Sequence, residues 1–215
     1  MPPSTPRRSP APQDRQRDAE RTRARILEAA SAEFAAHGYA GARVSAIAAR
    51  AGVNQQLISY YFDGKEGVYL AVSRRWWERR AELIPPGTPL PEQARRYVLE
   101  AVHDPDGPRL LAWNGLQYDG AGTGPDAQHR SDELRIGVDE LRRSQADGDL
   151  PADVDPEILL VILMAAAMAP TTLPHVIAGL TGEDPRSPQF VERFADQLAT
   201  FVGGLAKRGP AGPAS

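Results

Sequence analysis

Apolar side chains recur along this chain at the i, i+3/i+4 spacing of amphipathic helices. Residues 19–37 carry one such stripe, which ends before Gly38. Two short helices are predicted next, at about residues 45–51 and 55–62, and a longer helix then runs to about Leu83. Six further helical segments are predicted in the remainder, at about residues 89–102, 109–118, 126–145, 156–170, 171–180 and 188–205. The pattern therefore predicts an all-α fold.

The two short helices carry the capping residues expected around a tight turn. Ser45 is predicted to cap the first helix, since a serine hydroxyl accepts hydrogen bonds from free N–H groups. Gly52 suits a left-handed helix end, and Asn54 is a second good N-cap. The second helix is predicted to turn Ile58, Tyr61 and Phe62 inward and Gln55, Gln56, Ser59 and Tyr60 outward. These outward side chains suit base edges and phosphates in a DNA major groove, although a plain helical hairpin fits the spacing equally well.

The segment at residues 156–170 differs from the other helices because nearly every residue is apolar. Asp155 is predicted to cap it, with Pro156 at the first helical position. A helix without a polar face is expected to be buried on all sides. In a chain of this size, such a helix predicts a subunit interface as well as a core.

The composition excludes several kinds of site. The 215 residues include no cysteine, which excludes disulfides, thiolate metal sites and a cysteine nucleophile. Residues 1–25 hold no apolar run of the kind that a secretory signal requires. The longest apolar stretch, residues 158–169, has 12 residues, whereas a membrane span needs roughly 20. We therefore expect a cytoplasmic protein with no membrane partner.

The net charge of −3 hides two parts of opposite sign. Residues 1–80 carry 14 Lys and Arg against 8 Asp and Glu, a net charge of +6, and residues 81–215 carry 11 against 20, a net charge of −9. A basic N-terminal part favours nucleic-acid binding, and phosphate would repel the acidic remainder. Arg21, Arg23 and Arg25 crowd the predicted first turns of helix 19–37, where the helix dipole disfavours cations. We expect these arginines to have anionic partners such as phosphates.

Both ends of the chain are predicted to be disordered. Residues 1–18 are rich in Pro, Arg and Ser and have almost no apolar side chains, so they cannot offset the entropy of ordering. The arginines of this segment make it a basic arm, which fits either a DNA minor groove or a solubilising tail. Residues 207–215 form the second predicted tail.

Four stretches of the N-terminal part, taken together, resemble the TetR family of bacterial transcriptional regulators. They are Arg25–Ala30, Phe34–Tyr39, Val44–Val53 and Ile58–Glu66, about a quarter of the chain with the residues between them. The resemblance implies an all-helical homodimer with an N-terminal three-helix DNA-binding domain that contains a helix–turn–helix. It also implies a helical C-terminal domain that binds a small ligand and dimerises. On this basis we expect the two domains at residues 19–66 and 67–206.

The resemblance also implies which residues contact DNA. Ser45 would bond a phosphate from the start of the second helix, and Lys65 falls at the family's phosphate-contacting lysine. Gln55, Gln56, Ser59 and Tyr60 fall where the family's recognition helix meets DNA. Two positions depart from the family pattern. Leu57 stands where a threonine or serine is common, and Ser59 where a tyrosine is common, so phosphate contacts there cannot be carried over.

Nothing in the sequence predicts a catalytic residue, a metal site or a cofactor. The chain has no nucleophile elbow, P-loop or His-Glu-x-x-His motif, and its four histidines are scattered singly. A ligand cavity in the C-terminal domain would be lined by aromatic and flexible apolar side chains with a few polar groups. The candidates of this kind are His103, Trp113, Gln117, Tyr118, Met164, Met168, Thr171 and His175.

The last helix supplies the candidate dimer interface, in the region where the resemblance places it. Its apolar stripe consists of Phe190, Phe194, Leu198 and Phe201. The alternative is that these side chains pack inside one subunit.

The sequence thus predicts a DNA-binding transcriptional regulator. The interpretation it favours is a repressor whose homodimer binds a palindromic double-stranded DNA operator and is released by a small-molecule effector. Two alternatives stay open: a helical protein that binds a small molecule without using its N-terminal domain, and a transcriptional activator.

Overall fold

The computed structural model describes residues 12–120 and 124–206, and these residues form ten α-helices and no strand. The prediction of an all-α fold is confirmed. In chain order the helices are α1 (Pro12–Gly41), α2 (Val44–Ala51), α3 (Gln55–Phe62), α4 (Gly64–Leu83), α5 (Leu90–His103), α6 (Asp106–Leu116), α7 (Ala127–Ala146), α8 (Pro156–Thr172), α9 (Pro174–Thr181) and α10 (Pro188–Ala206). We call α1–α3 with the first half of α4 the head, and the second half of α4 with α5–α10 the body. Helix α4 therefore belongs to both parts.

The first helix is longer than the sequence pattern predicts. The prediction of disorder for residues 1–18 is wrong from Pro12 onward, where α1 begins. Once a helix exists, each added residue gains a backbone hydrogen bond at little further cost. The Gln16 side chain supports the extension by donating to Glu20 at 3.1 Å. Residues 1–11 and 207–215, the remaining parts of the predicted arm and tail, lie outside the described residues.

Gly38 kinks α1 near its end, where the sequence pattern predicts the helix to stop. Its backbone has φ 67° and ψ 177°, after which the helix resumes to Gly41. A side-chain carbon on Gly38 would lie 3.3 Å from Trp113 and 3.1 Å from the Nε2 atom of Gln117 on the body. Glycine is therefore favoured twice here, by the positive φ and by the close approach of α6.

One buried cluster, to which all four helices contribute, holds the head together. Its largest fully buried members are Ile26 and Phe34 of α1, Ile47 of α2, Ile58 of α3, and Val68 and Tyr69 of α4. Tyr39 and Val44 lie partly buried against the cluster and help to seal it. Each fully buried Ile or Phe contributes roughly 1.5–3 kcal/mol relative to an exposed one. This packing fixes the angle between α2 and α3.

A buried polar network joins the head to the body. Asp126, which precedes α7, accepts hydrogen bonds from the Tyr69 hydroxyl at 3.2 Å and the Ser73 hydroxyl at 2.7 Å, both on α4. It also accepts one from Arg130 at 2.9 Å. The Asn114 amide of α6 donates to the Tyr69 oxygen at 3.1 Å. Because buried polar groups are costly when unpaired, this network favours one seating of α4 on α6 and α7.

The body has two small buried clusters instead of one. The first lies between α5, α8 and α10 and contains Val98, Ala167, Val191 and Ala195. The second lies between α7, the loop after it and α8, and contains Leu141, Leu150 and Leu159. A cavity described below separates parts of these helices.

Helix α8 is buried on one side only in the single chain, so the prediction that it is buried on all sides is wrong for the isolated subunit. Ile158, Val161 and Ile162 are 59%, 64% and 51% exposed. The prediction fails because apolar composition shows that a helix avoids water without showing which surface covers it. Large apolar side chains of α9 and α10 are also exposed: Val176, Leu180 and Phe201.

The described residues include no single helix that is both long and apolar enough to cross a membrane. Helices α8 and α9 meet the length and composition test only as a pair, and they are bent by 75° relative to each other.

Candidate nucleic-acid interface and ligand cavity

The turn between α2 and α3 has the geometry that its sequence predicts. Gly52 ends α2 in the left-handed conformation, with φ 61° and ψ 41°. The Gly52 N–H donates to the Ala49 carbonyl at 3.1 Å and the Val53 N–H to the Ala48 carbonyl at 3.0 Å. These two bonds satisfy carbonyls that a helix end would otherwise leave unpaired. The turn is therefore fixed by its own backbone.

The N-terminus of α3 is capped by Asn54, as predicted. The Asn54 side chain accepts a hydrogen bond from the Gln56 N–H at 3.0 Å. Ile58 and Phe62 are buried in the head, and Tyr61 lies half-buried against the same cluster. The opposite face is exposed and consists of Gln55, Gln56, Ser59 and Tyr60, the last of which is 79% exposed. Helix α3 thus presents polar side chains from a rigid support.

Ser45 does not cap α2, so that prediction is wrong. Helix α2 begins at Val44, and Arg43 occupies the capping position without a side-chain cap bond. The Arg43 N–H is instead bound by the Glu33 carboxylate of α1, at 3.2 Å. Ser45 lies in the first turn with its side chain exposed. The Ser45 hydroxyl does not cap the helix, so it can still contact a phosphate, as predicted.

Lys65 lies in the first turn of α4 and ties that helix to the end of α1. Its ammonium donates to the Ala40 carbonyl at 3.2 Å and lies 4.9 Å from the centre of the Tyr39 ring. An ammonium has three N–H donors, so the contact with Ala40 leaves two for a phosphate. The side chain is half-buried and therefore held at a fixed place.

Arg23 and Arg25 of α1 contact the head itself, which corrects the argument for phosphate partners at these two positions. Because α1 begins at Pro12, these arginines lie in the middle of the helix, where its dipole does not disfavour them. The Arg25 guanidinium donates to the Ala51 carbonyl and, at 3.3 Å, to the Gly52 carbonyl. Arg23 lies over the Phe62 ring at 4.8 Å. Both side chains thus hold α1 against the helix–turn–helix.

The body encloses a cavity of about 120 Å³ between α4, α5, α7 and α8. Apolar side chains form most of its wall, among them Trp77, Leu83, Leu134, Leu163, Met164 and Met168. Arg79 on this wall is paired with two carboxylates, Glu100 and Asp104. Arg80 lies 5.6 Å from the ring centres of both Trp77 and Tyr97. The cavity is thus mostly apolar with a polar group at one side, as ligand sites commonly are.

Only two of the eight residues predicted to line a ligand site lie on this cavity. Met164 and Met168 of α8 line it, and the other six do not. Among these six, His103, Gln117, Tyr118 and His175 are exposed, Trp113 packs against Gly38, and Thr171 donates to the Ala101 carbonyl at 2.5 Å. Sequence reasoning missed Arg80 and Tyr97, because α4 and α5 meet only in the folded chain.

The comparisons with known proteins match both parts of the molecule. A family model described as bacterial regulatory proteins, tetR family, matches residues 26–72. A second, described as tetracyclin repressor-like, C-terminal domain, matches residues 89–198, more than half of the chain. The chain belongs to the TetR family of bacterial regulatory proteins. The resemblance seen in the sequence is therefore confirmed.

Two relatives are similar to this chain over most of its length. The HTH-type transcriptional repressor SCO4008 of Streptomyces coelicolor is 34% identical over 171 residues, which are 77% of this chain and 86% of that protein. The HTH-type transcriptional regulator RutR of Escherichia coli is 27% identical over 188 residues, which are 82% of this chain and 86% of that protein. This chain is accordingly a DNA-binding transcriptional regulator.

Solved structures show the same fold. The crystal structure of SCO4942 from Streptomyces coelicolor has a TM-score of 0.67 at 30% identity and covers 85% of this chain and 97% of that one. The SmeT–triclosan complex has a TM-score of 0.57 at 21% identity and covers 90% of this chain and 98% of that one. The second likeness concerns the fold alone.

The predicted dimer stripe of this TetR-family chain is divided between the inside and the surface of the subunit. Phe190 is buried within its own subunit beneath Arg193, and Phe194 and Leu198 pack partly against the cluster around Val98. Phe201 alone is largely exposed, at 63%. Three of the four side chains therefore follow the alternative of packing inside one subunit. The exposed apolar face of α8 is the larger uncovered surface.

Two exposed arginines near the helix–turn–helix were not predicted as site residues from the sequence: Arg43, which precedes α2, and Arg50, which lies in α2. Both side chains are exposed, and neither guanidinium has a carboxylate within 4.0 Å among the residues that the structure describes. The signal that could have found them is the absence of acidic side chains between residues 43 and 50.

The described residues hold no group of three His, Asp or Glu side chains arranged to bind a metal ion.

Proposed function

We propose that this TetR-family protein is a repressor whose homodimer binds a palindromic DNA operator and leaves it when a small molecule occupies the body. The observation that carries the proposal is the exposed polar face of α3, held on a tightly packed head. A recognition helix presents such side chains to the major groove, while flanking donors contact phosphates. Because its target is DNA, the protein would act in the cytoplasm.

The direction of regulation is proposed from the relatives. SCO4008 of Streptomyces coelicolor and NicS of Pseudomonas putida are both named as HTH-type transcriptional repressors. Repression requires that the bound protein block transcription, and activation requires that it recruit the transcription machinery. A promoter fusion in a host that lacks the regulator separates the two, since loss of a repressor raises expression and loss of an activator lowers it.

Homodimer formation is supported by the uncovered apolar surface of the body. Ile158, Val161 and Ile162 of α8 are all more than half exposed, and Val176 and Leu180 of α9 extend the exposed apolar area. Monomeric proteins rarely leave so many large apolar side chains together in water. A two-fold pair would place two α3 helices one DNA turn apart, roughly 34 Å, on a palindromic site.

Release by a small molecule is supported by the shared helix α4. Trp77 and Arg80 of its second half line the cavity, while Val68 and Tyr69 of its first half are buried in the head. A ligand that favours one position of α4 therefore also favours one position of α3. Moving occupancy from 1:99 to 99:1 requires about 5.5 kcal/mol of differential affinity between the two states. The SmeT–triclosan complex provides an example of a small molecule bound to a protein of this fold.

The test of DNA binding is a gel shift on the DNA that flanks the protein's own gene. Tyr60→Ala should weaken DNA binding in this assay about 5- to 150-fold, since a good contact at a DNA interface contributes roughly 1–3 kcal/mol. Tyr118→Ala is the matched control, because Tyr118 is an exposed tyrosine of the body. Equal affinities for wild type, Tyr60→Ala and Lys65→Ala would contradict the assigned contacts.

The dimer is tested by sedimentation velocity on Val161→Arg. A charge in the middle of the α8 face should convert dimer to monomer, because a buried unpaired cation is strongly unfavourable. Ile136→Arg is the control: Ile136 is an apolar residue of α7 that is 49% exposed. A wild-type protein that sediments as a monomer would contradict the proposal.

A further inference from the structure

The cavity wall carries one guanidinium without a carboxylate partner. Arg80 has no carboxylate oxygen within 4.0 Å among the described residues. It lies between the Trp77 and Tyr97 rings, and one of its terminal nitrogens would be 3.4 Å from a side-chain carbon on Gly137 of α7. Three helices therefore hold the guanidinium at the cavity by contacts with two rings and a glycine. A guanidinium has five N–H donors, so the interaction of Arg80 with the Tyr97 oxygen leaves others for a ligand.

A second donor lies beside Arg80. The Tyr97 hydroxyl is buried and has no hydrogen-bond partner in the described structure. Burial raises the pKa of Tyr97 and the nearby Arg80 lowers it, with burial the larger effect. The hydroxyl is therefore protonated at neutral pH and able to donate. A buried hydroxyl without a partner is unfavourable, so a ligand that accepts its hydrogen bond would gain affinity.

The carboxylates of the cavity wall differ in whether they already have an ion-pair partner. Glu100 and Asp104 are both paired with Arg79. Glu140 of α7 is half-buried, lines the cavity and has no ion pair among the described residues. Among the ionisable groups of the wall, those left to meet a ligand are thus two donors, Arg80 and Tyr97, and one acceptor, Glu140.

The remaining wall suits a flat apolar ring system. Trp76 and Trp77 meet edge to face, with their ring centres 4.5 Å apart. Met164 and Met168 face the cavity from α8, and methionine side chains adapt readily to aromatic surfaces. The ring walls and the methionines therefore favour an aromatic ligand body.

We propose that the effector of this site is an aromatic weak acid, whose ionised oxygen is bound by the Arg80 guanidinium and the Tyr97 hydroxyl. The inference rests on the proposed function only in naming the ligand an effector. A guanidinium binds a carboxylate or phenolate through parallel charge-assisted hydrogen bonds, which are stronger than neutral ones. An aromatic cation is disfavoured, because it would lie beside a guanidinium of the same charge that three helices hold in place.

The experiment is calorimetric titration of the full-length protein, without DNA, by three probes that share one ring system: naphthoate, naphthamide and naphthylmethylammonium. Naphthoate should bind about 10-fold or more tightly than either of the other two. Arg80→Met should remove most of that preference and leave naphthamide affinity nearly unchanged. Tyr97→Phe should weaken naphthoate about 3- to 10-fold.

Arg135→Met is the matched control, since Arg135 is an exposed arginine on α7 and its nearest acid is Asp132. It should bind naphthoate as wild type does. If Arg80→Met unfolds, Arg80→Lys keeps the charge without the planar fork and should lose part of the preference. Tightest binding by the ammonium probe, with loss on Glu140→Gln, would overturn the proposal, and so would equal affinities for the three probes.

A gel shift with added naphthoate separates this inference from the proposed function. Naphthoate binding that depends on Arg80 supports the ligand class even when DNA stays bound, and in that case the proposed release fails alone. Release of DNA by naphthylmethylammonium and not by naphthoate would support regulation by a ligand and contradict the ligand class.

Discussion

The head and the body of this protein are stabilised in different ways. The head has one buried cluster shared by α1–α4, and its short helices end in turns fixed by Gly52 and Asn54. The body divides its buried side chains between two smaller clusters, contains a cavity and leaves apolar side chains of α8 and α9 in water. The comparison teaches that the head is complete within one chain, while the body leaves room for a ligand and a second subunit.

The same contrast holds for charge. Arg25 and Arg23 of α1 contact backbone carbonyls and a ring inside the head. The exposed guanidinium groups of Arg43 and Arg50 have no carboxylate partner among the described residues. In the body most arginines form ion pairs with nearby acids, such as Arg95 with Glu192 and Asp196. The head therefore keeps positive charge for an external anion, and the body neutralises most of its own.

The largest expected effect is on the core of the head. Ile58→Ala should lower the free energy of unfolding by about 2–5 kcal/mol, because it opens a cavity in a fully buried position. Leu57→Ala is the control on the same helix, where the side chain is only partly buried, and it should cost less. Urea unfolding measures both. Equal losses would contradict the view that the head depends on one close-packed cluster.

The next effect concerns Tyr69 at the junction. Burial, followed by the nearby Asp126 carboxylate, raises the pKa of Tyr69 to about 12. In the unfolded chain this tyrosine ionises near pH 10, so the unfolded state loses the proton first as the pH rises. The stabilisation is fully present below about pH 10 and is lost by about pH 12, a change of up to about 2–3 kcal/mol.

The measurement is urea unfolding of wild type and Tyr69→Phe across that alkaline range. The difference between the two proteins isolates Tyr69 from other groups that titrate at high pH. Tyr69→Phe should lose less stability than wild type between about pH 10 and 12. Parallel curves would show that the hydroxyl is not held in a buried network.

A smaller effect compares one glycine from each part. Gly52→Ala in the head should cost about 1–2 kcal/mol for the left-handed backbone, and more because the new carbon would lie 2.7 Å from an Arg25 nitrogen. Gly182 in the body has φ 70° and open space around it. Gly182→Ala should therefore lose only the stability that the left-handed backbone costs a residue with a side chain. Thermal unfolding of both variants gives the difference. A larger loss for Gly182→Ala would reverse the comparison.

The smallest effect is expected on the surface of the body. Arg142 pairs with Asp139 at 3.0 Å and Glu157 at 2.8 Å, and all three side chains are more than half exposed. Arg142→Ala should therefore change stability by less than about 1 kcal/mol, and the change should shrink at high salt. A larger loss that persists at high salt would indicate that this ion pair is part of the body's framework.

The sequence predicted the parts of the fold that depend on neighbouring residues. Gly52 and Asn54 fix the turn through atoms within a few positions of themselves, so residue type and spacing were sufficient. Ser45 was misplaced by two positions, because α2 already begins at Val44, where a carboxylate from α1 holds the backbone N–H of the preceding Arg43. Residue type alone does not reveal such a distant partner.

The candidate sites of the body were harder to predict. Met164 and Met168 lie on the cavity, but Arg80 and Tyr97 come from helices that the sequence pattern could not place side by side. The sequence pattern correctly identified the apolar stripe of α10. The pattern did not reveal that Phe190 is covered by its own subunit. Periodicity identifies an apolar face, and only the packing shows what covers it.

The central claim, that exposed side chains of α3 read a DNA operator, is tested most directly by titrating operator and unrelated DNA at several salt concentrations. Fluorescence anisotropy of a Gln55→Ala, Gln56→Ala double variant should show operator affinity weakened by about 1–3 kcal/mol for each glutamine that binds a base edge. Non-specific affinity and salt dependence should stay unchanged, because both side chains are neutral. Arg50→Ala is the comparison variant that removes a charge. It should reduce the slope of log affinity against log salt concentration by about 1. Unchanged preference for the operator in the glutamine variant would contradict the claim.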